Sequence, residues 1–170
     1  DKDPIVICGQ GVAPELATLK TFNDLNLNIV PGSGLLPAVV PGAFDAWMLL
    51  LLKYGTMSIR EVMEPAIGIA TKGFPLVPNI VNTIKSVEEL FRNEWKSSAE
   101  IYLPQGNLPN PGDFFKNIKM AETYLKIIRE AELKSQDIKE QIQQARKIWS
   151  QGFIAEEIDK FCQNNEFLDT

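Results

Sequence analysis

The sequence predicts a mainly α-helical chain with one short β-strand, and three observations support this fold class. Over most of the 170 residues, apolar side chains recur every three to four positions, which is the spacing of one helix face. Proline, glycine and asparagine interrupt these stretches where helices are expected to begin and end. Only Ile5 to Cys8 is a β-branched run typical of a buried strand, and Gly9 ends it.

The predicted strand Ile5 to Cys8 needs a partner, because a lone strand cannot satisfy its own backbone N–H and C=O groups. The rest of the sequence offers few candidates for pairing. We therefore expect the strand to pair with a part of the protein outside this chain, so that residues 1–170 form a single incomplete domain.

Two helices separated by an ordered loop are predicted in the N-terminal third. Pro14 opens the first helix, which ends in the turn-prone residues 23–28. The loop 30–42 is apolar yet rich in proline and glycine, which favours irregular chain packed against a core. The second helix, Ala43 to Tyr54, is apolar nearly all round and is stopped by Gly55, so we expect burial on most sides.

The next helix begins after Ser58, since Ser58 and Glu61 have the spacing of a capping box. Pro65 is expected to break this helix and start a fresh turn that ends at Gly73. A further helix is predicted from Pro78 to Trp95.

An extended segment is predicted at 99–103, followed by turns at 104–107 and 110–113. Helices resume at Asn117, again after Ser135 as a cap, and finally from Ile154 to Phe161 beyond the break at Gly152. No repeat of 30 to 45 residues is present, which argues against a helical solenoid.

Composition excludes several classes of function. The net charge of −5 and pI of about 4.9 disfavour binding to nucleic acid. The strongest apolar run, Ala46 to Leu52, falls short of the roughly 20 residues that span a bilayer, so no membrane partner is expected. Residues Asp1 to Pro4 do not resemble a signal peptide and are typical of a chain joined in mid-protein. This favours the cytoplasm while leaving the compartment open.

Histidine is absent from the sequence, which removes Ser-His and Cys-His catalysis and the commonest zinc ligand. Cys8 and Cys162 are interpreted as free thiols packed as small apolar groups, in preference to a disulfide. The pair Gly9 and Gly11 could suggest a phosphate loop, but Pro14 stands where the third glycine belongs, so a tight strand exit is favoured. No cofactor or metal site is predicted.

Six short segments, in order along nearly the whole chain, match the motifs of one enzyme family. They are Gly9-Gln10-Gly11-Val12-Ala13-Pro14, with Ala17, Thr18 and Phe22; Val40-Pro41-Gly42-Ala43; Lys53 to Ser58; Glu64 to Ile67, with Ala70 and Gly73 to Pro75; Gly112-Asp113, with Phe115 and Asn117; and Gly152 to Ile158. Each segment is weak alone, but six in this order are specific. On this basis the chain resembles the large subunit of the gamma-glutamyltransferases (gamma-glutamyltranspeptidases).

The resemblance implies an autoprocessing precursor of the N-terminal-nucleophile hydrolase superfamily, with a role in glutathione metabolism. Such a precursor cuts itself before a threonine, which becomes the nucleophile of the small subunit and can use its own α-amine as base. The implied fold is a four-layer αββα sandwich, to which this chain contributes one inner strand and much of a helical layer. The implied partners are the remainder of the precursor, including the small subunit, and a small-molecule amide; a homo-oligomer is left open.

No catalytic residue is expected in this chain, so the fragment alone is predicted to be inactive. The resemblance assigns substrate binding to Gly9, Gln10 and Gly11. In the family pattern an arginine at the position of Gln10 holds the substrate's α-carboxylate, and a glutamate stands at the position of Gly11. Glutamine carries no charge, which favours an amidase or acylase with another substrate over gamma-glutamyl transfer from glutathione.

Two alternatives remain open at the level of sequence. The chain could be a free-standing helical interaction module that shares only ancestry with the family, or part of an inactive homologue. The stretch from Glu130 to Trp149 is also longer than the family pattern and holds an extra amphipathic helix. We interpret that helix as surface decoration or a subunit contact.

Overall fold

A computed structural model describes residues 3–164, and within that range the chain is mainly helical with one small antiparallel sheet. The N-terminal Asp1 and Lys2, part of the stretch compared with signal peptides, lie outside the described residues. The helices are α1 Leu19–Asp24, α2 Ala43–Tyr54, α3 Ile59–Lys72, α4 Pro78–Ser86, α5 Glu88–Asn93, α6 Lys96–Tyr102, α7 Ile118–Lys134, α8 Ile138–Gln151 and α9 Phe153–Asn164; the strands are β1 Phe74–Pro75 and β2 Phe114–Phe115. A 3-10 helix occupies Pro104–Gly106.

The described residues group into two compact units. The first unit contains residues 3–59 and 127–164, and the second unit contains residues 60–126. The expectation of a single incomplete domain over residues 1–170 stays a prediction.

The core of the first unit forms where α8 packs against both α2 and α9. Phe44 and Met48 of α2 are each 3% exposed, and Ile142 and Ala145 of α8 are almost fully buried. Asp137 caps α8, because its carboxylate accepts a hydrogen bond from the Glu140 N–H at 2.9 Å. The helix interpreted as surface decoration or a subunit contact is therefore a core element of this unit, so surface decoration is wrong, and a subunit contact stays a prediction.

Helix α2 has the predicted bounds, Ala43 to Tyr54, and Gly55 follows it. The expectation that it is buried on most sides is wrong for one face, where Trp47 is 60% and Leu50 51% exposed. Helix α8 packs against the part of α2 that carries Phe44, whose ring stacks on Trp149. An apolar sequence indicates that a helix can be buried on a given face, but the packing of neighbouring helices decides which face is buried.

The core of the second unit is a cluster of Ile84, Phe91 and Leu103. Stacked rings continue from it: Phe91 lies 5.6 Å from Tyr102, and Tyr102 lies 5.6 Å from Phe115, between ring centroids. Phe115 pairs with Phe74 in the two-stranded sheet. The aromatic residues thus connect α5, α6 and the sheet.

The predicted strand Ile5 to Cys8 is not formed within the described residues. Ile5 is 68% and Val6 88% exposed, and the described sheet contains only β1 and β2. Without a neighbouring strand the ladder of hydrogen bonds cannot form, although the residue types favour it. Cys8 and Cys162 are both free, as predicted, but both are exposed, so the prediction of buried thiols is wrong.

Several predicted element boundaries differ from the structure. Helix α1 begins at Leu19 and not at Pro14, because Thr18 caps it by accepting the Thr21 N–H at 3.2 Å. Pro65 lies inside α3 without ending it. A proline removes only one hydrogen bond of the ladder, and burial of the apolar face, where Ile67 is 7% exposed, offsets that loss.

The single helix predicted from Pro78 to Trp95 is two helices, α4 and α5, which meet at Val87. Residues 99–103, predicted to be extended, form the end of α6 and its cap. The reason is tertiary packing. Leu103 is 2% exposed because it packs with Phe91, and the helical conformation of α6 brings it to that position.

The turns and the start of α7 agree with the sequence-based expectation. Asn110 donates its N–H to the Asp113 carboxylate at 2.7 Å, and Gly112 has a φ of +92° that glycine adopts readily. Asn117 caps α7 by accepting the Met120 N–H at 3.0 Å. Ser135 is not itself the cap of α8, but its hydroxyl accepts the N–H of the capping residue Asp137 at 3.0 Å.

A glycine inside α3 offers a stability test. No heavy atom lies within 4 Å of the position that a Cβ would take at Gly68. We expect Gly68→Ala to raise the free energy of unfolding by about 0.5–1 kcal/mol, because alanine restricts the unfolded chain and favours the helix. Urea denaturation checks this. Gly73→Ala is the contrast and should destabilise, since Gly73 has a φ of +90°; equal effects of the two changes would contradict the explanation.

Candidate functional site

The three predicted binding residues, Gly9, Gln10 and Gly11, lie together in an irregular segment that packs against residues 39–42 of the first unit. The Val40 N–H donates a hydrogen bond to the Val12 carbonyl oxygen at 2.9 Å. A Cβ built on Gly11 would lie only 1.9 Å from the Val40 carbonyl oxygen. Glycine is therefore required at position 11 for the two backbones to approach so closely.

A second close approach joins Gln10 to the start of α2. A Cβ on Gly42 would lie 2.8 Å from the Gln10 carbonyl oxygen. A Cβ on Gly9 would lie 3.2 Å from the Ala46 Cβ. Gly9, Gly11 and Gly42 thus let residues 9–11 pack closely against residues 39–46, and we call this packing the glycine contact. It holds the main chain of Gln10 beside the N-terminus of α2.

The Gln10 side chain is exposed, whereas Gly9 and Gly11 are half-buried. The exposed amide is accessible to a ligand, and because the main chain is already anchored, binding would have to order only the side chain. It brings no positive charge, in contrast to the arginine of the family pattern. Assignment of substrate binding to Gly9, Gln10 and Gly11 stays a prediction.

Helix α8 contacts residues 41–45, next to the residues that pack on Gly9 and Gly11. The Arg146 guanidinium donates to both oxygens of the Asp45 carboxylate, at 2.6 and 3.0 Å. The hydrogen bond to Asp45 raises the pKa of Arg146 above its ordinary value; partial burial acts against this, and Coulombic attraction to Asp45 adds to it. Because the folded-state pKa is raised, the stabilisation from Arg146 is present at neutral pH and is lost as the pH rises through that pKa in strongly alkaline solution.

Trp149 makes a second connection between α8 and residues 41–45. Its ring stacks on Phe44, with centroids 4.5 Å apart and planes 14° from parallel, and its indole N–H donates to the Pro41 carbonyl oxygen at 3.1 Å. Asp45 and Arg146 are 101 residues apart, and Pro41 and Trp149 are 108 apart. No local spacing in the sequence could have indicated either pair.

Each unit has an open cleft among the described residues. The cleft of the first unit, about 390 Å³, lies between the end of α2 and the start of α8 and is lined by Leu52, Met57 and Ile138, among others. The cleft of the second unit, about 440 Å³, is mainly apolar and is lined by Ile80 and Phe91, among others. Neither cleft is lined by a residue of the glycine contact.

Among residues 3–164, no group of three or more Cys, Asp or Glu side chains is arranged to hold a metal ion. Across that range, no helix is both long enough and apolar enough to pass through a bilayer.

Comparison with known proteins places these features in a family. Residues 1–166 match the family described as Gamma-glutamyltranspeptidase. The chain is 30% identical over 138 residues to a "Glutathione hydrolase-like YwrD proenzyme" of Bacillus subtilis, covering 80% of this chain and 23% of that protein. It is 36% identical over 121 residues to an "Acylase ACY 1 proenzyme" of Pseudomonas sp., covering 64% and 21%.

A solved structure, that of LmbA2991T421A, is 46% identical with a TM-score of 0.84, covering 88% of this chain and 26% of that one. The chain thus spans between a fifth and a quarter of the curated relatives named above. Similar structures include gamma-glutamyltranspeptidases and acylases of the N-terminal-nucleophile hydrolase superfamily. Together with the mainly helical structure of this chain, they confirm the predicted fold class. The resemblance deduced from the six motifs is confirmed: the chain belongs to the gamma-glutamyltranspeptidase family.

Proposed function

We propose that the whole protein is a gamma-glutamyltransferase-like amidohydrolase or acyltransferase, and that this chain supplies part of its large subunit. The nucleophile would be an N-terminal threonine outside residues 1–170, whose own α-amine acts as base. The partners would be the rest of the same precursor and a small amide substrate. Similarity to two proenzymes, a glutathione hydrolase-like protein and an acylase, supports this reading.

The observation that carries the proposal is the anchored main chain of Gln10, which by resemblance corresponds to the family's carboxylate-binding arginine. The glycine contact fixes the position of the Gln10 main chain, and the Gln10 side chain extends from it into solvent. That side chain is a neutral amide. Arginine binds a carboxylate through two parallel hydrogen bonds and carries a positive charge, whereas Gln10 offers only neutral N–H donors, so Gln10 binds a carboxylate less tightly than arginine would.

We infer that the substrate is an acyl amide without the α-carboxylate of a gamma-glutamyl group. Gly11 supports the same substrate class, because a glutamate side chain at position 11 would displace Val40. Two polar groups of the gamma-glutamyl pattern are thus missing at adjacent positions. The similarity to an acylase accords with this substrate class. The cytoplasmic location and a homo-oligomer stay predictions.

Exchange of Gln10 for arginine tests the substrate class. The matched substrates are gamma-glutamyl-p-nitroanilide and 4-aminobutyryl-p-nitroanilide, which differ only by the α-carboxylate. We expect the full-length protein to prefer the second, and Gln10→Arg to raise kcat/KM for the first by roughly 10- to 100-fold, as one charge-assisted hydrogen bond allows. Gln10→Met, which has a similar length and no donor, is the control.

The outcomes of this experiment separate the candidate functions. Rapid turnover of gamma-glutamyl-p-nitroanilide by the unaltered protein would show that the interpretation of Gln10 is wrong. Processing at a threonine with turnover of other amides only would support the acylase class. Lack of both processing and turnover would favour the inactive homologue or the helical module.

A further inference from the structure

The position of Gln10 depends on three consecutive residues, Val40, Pro41 and Gly42. Val40 donates its N–H to Val12, just beyond Gln10, at 2.9 Å. Gly42 lies so near the Gln10 carbonyl oxygen that a Cβ there would come within 2.8 Å of it. We call residues 40–42 the supporting strip. Movement of this strip would move the Gln10 main chain with it, because the backbones are in contact.

Helix α8, about 100 residues later in the chain, binds the supporting strip. The Trp149 indole N–H donates to the carbonyl oxygen of Pro41, the middle residue of the strip, at 3.1 Å. Backbone carbonyls of proline-rich irregular chain lack the regular partners of a helix or sheet, so a side-chain donor defines their orientation. The Trp149 ring also covers Phe44, which is 3% exposed.

The second contact from α8 is an ion pair. Arg146 lies three residues before Trp149, on the same face of α8, and binds both carboxylate oxygens of Asp45. Asp45 belongs to the first turn of α2, immediately after the strip. A planar guanidinium fork matches a carboxylate in one orientation, which a lysine cannot reproduce. Together the two contacts fix both the strip and the first turn of α2.

We propose that Arg146 and Trp149 are positioning residues that set the placement of Gln10 through the supporting strip. The inference rests on the proposed function for its catalytic consequence. They act through main-chain contacts and do not touch the substrate themselves. The effect on catalysis is therefore a change in substrate binding at Gln10, with the chemical step spared.

The first experiment measures the coupling without any need for activity. Hydrogen exchange of the peptide containing the Val40 amide is followed by mass spectrometry in the full-length protein. We expect Trp149→Phe, which keeps the ring and removes the N–H, and Arg146→Ala to speed this exchange about tenfold. Arg146→Lys is expected to give a smaller part of that increase. Lys147→Ala, exposed on the same helix, is the control and should leave exchange unchanged.

The second experiment measures steady-state kinetics with the preferred p-nitroanilide. We expect Trp149→Phe and Arg146→Ala to raise KM by about three- to tenfold and to leave kcat within about twofold, since misplacement of a binding group weakens binding. A merely structural role would lower the amount of folded protein and kcat in proportion, without the selective rise in KM. Arg146→Lys should restore KM only in part.

The outcomes decide the inference separately from the proposed function. Exchange at Val40 that is unchanged in both Trp149→Phe and Arg146→Ala would overturn it. Faster exchange with an unaltered KM, or with kcat falling as much as KM rises, would also overturn it. If the unaltered protein lacks amidase activity, the proposed function fails, while the exchange experiment still decides whether α8 holds the strip. If one variant fails to fold, Arg146→Lys supplies the same comparison.

Discussion

Replacement of Phe44 by alanine is expected to lower the free energy of unfolding by about 3–5 kcal/mol, the range for a phenylalanine removed from a packed core. Phe44 is 3% exposed and stacks on Trp149 at 4.5 Å. Its loss removes apolar burial, leaves a cavity between α2 and α8, and frees the Trp149 ring. Urea denaturation followed by far-ultraviolet circular dichroism measures the change.

Trp47→Ala is the matched control for Phe44→Ala. Trp47 is an aromatic residue of the same helix but is 60% exposed. Its removal gives up little burial, so we expect a loss below about 1 kcal/mol. Similar losses for the two variants would contradict the assignment of the core of the first unit to the α2–α8 contact.

Replacement of Gly11 by alanine is expected to have the second large effect. A Cβ at this position would lie 1.9 Å from the Val40 carbonyl oxygen, and the obstructing atom belongs to the backbone. Residues 9–12 and 39–42 would have to separate, breaking the hydrogen bond from the Val40 N–H to Val12. The cost of such overpacking is about 1–3 kcal/mol. We expect faster hydrogen exchange at Val40 and, in the full-length protein, loss of substrate binding.

Gly32→Ala is the control for this change, because Gly32 lies in the irregular loop whose later residues, 39–42, pack against Gly11. No heavy atom lies within 4 Å of a Cβ at Gly32. We expect unchanged exchange at Val40 and unchanged binding. Gly11→Glu, which introduces the residue of the family pattern, should disrupt the contact at least as much as alanine. Improved substrate binding by Gly11→Glu would refute the glycine contact as the reason for Gly11.

Some elements were predictable because their signals are local. Helix α2 has the bounds that its apolar run and Gly55 indicate, and Asn117 caps α7 as its residue type favours. The turn at 110–113 follows from Asn110, Gly112 and Asp113. In each case the residues that determine the structure lie within one or two turns of chain.

Other elements were mispredicted where distant residues decide. Residues 99–103 end a helix because Leu103 must reach Phe91, and Pro65 stays inside α3 because the helix is held by its buried face. The strand expected at Ile5 to Cys8 requires a neighbouring strand that the described residues do not include. Propensity is a weak preference, and contacts of several kcal/mol override it.

By itself the sequence determined the helical class, the family and the unusual Gln10, since each depends on residue types in order along the chain. Only the tertiary structure decided how Gln10 is held. The close approach of Gly11 to Val40 and the bonds from α8 to Pro41 and Asp45 join residues up to 108 positions apart. Packing in three dimensions brings such residues together, and no periodicity of the sequence records it.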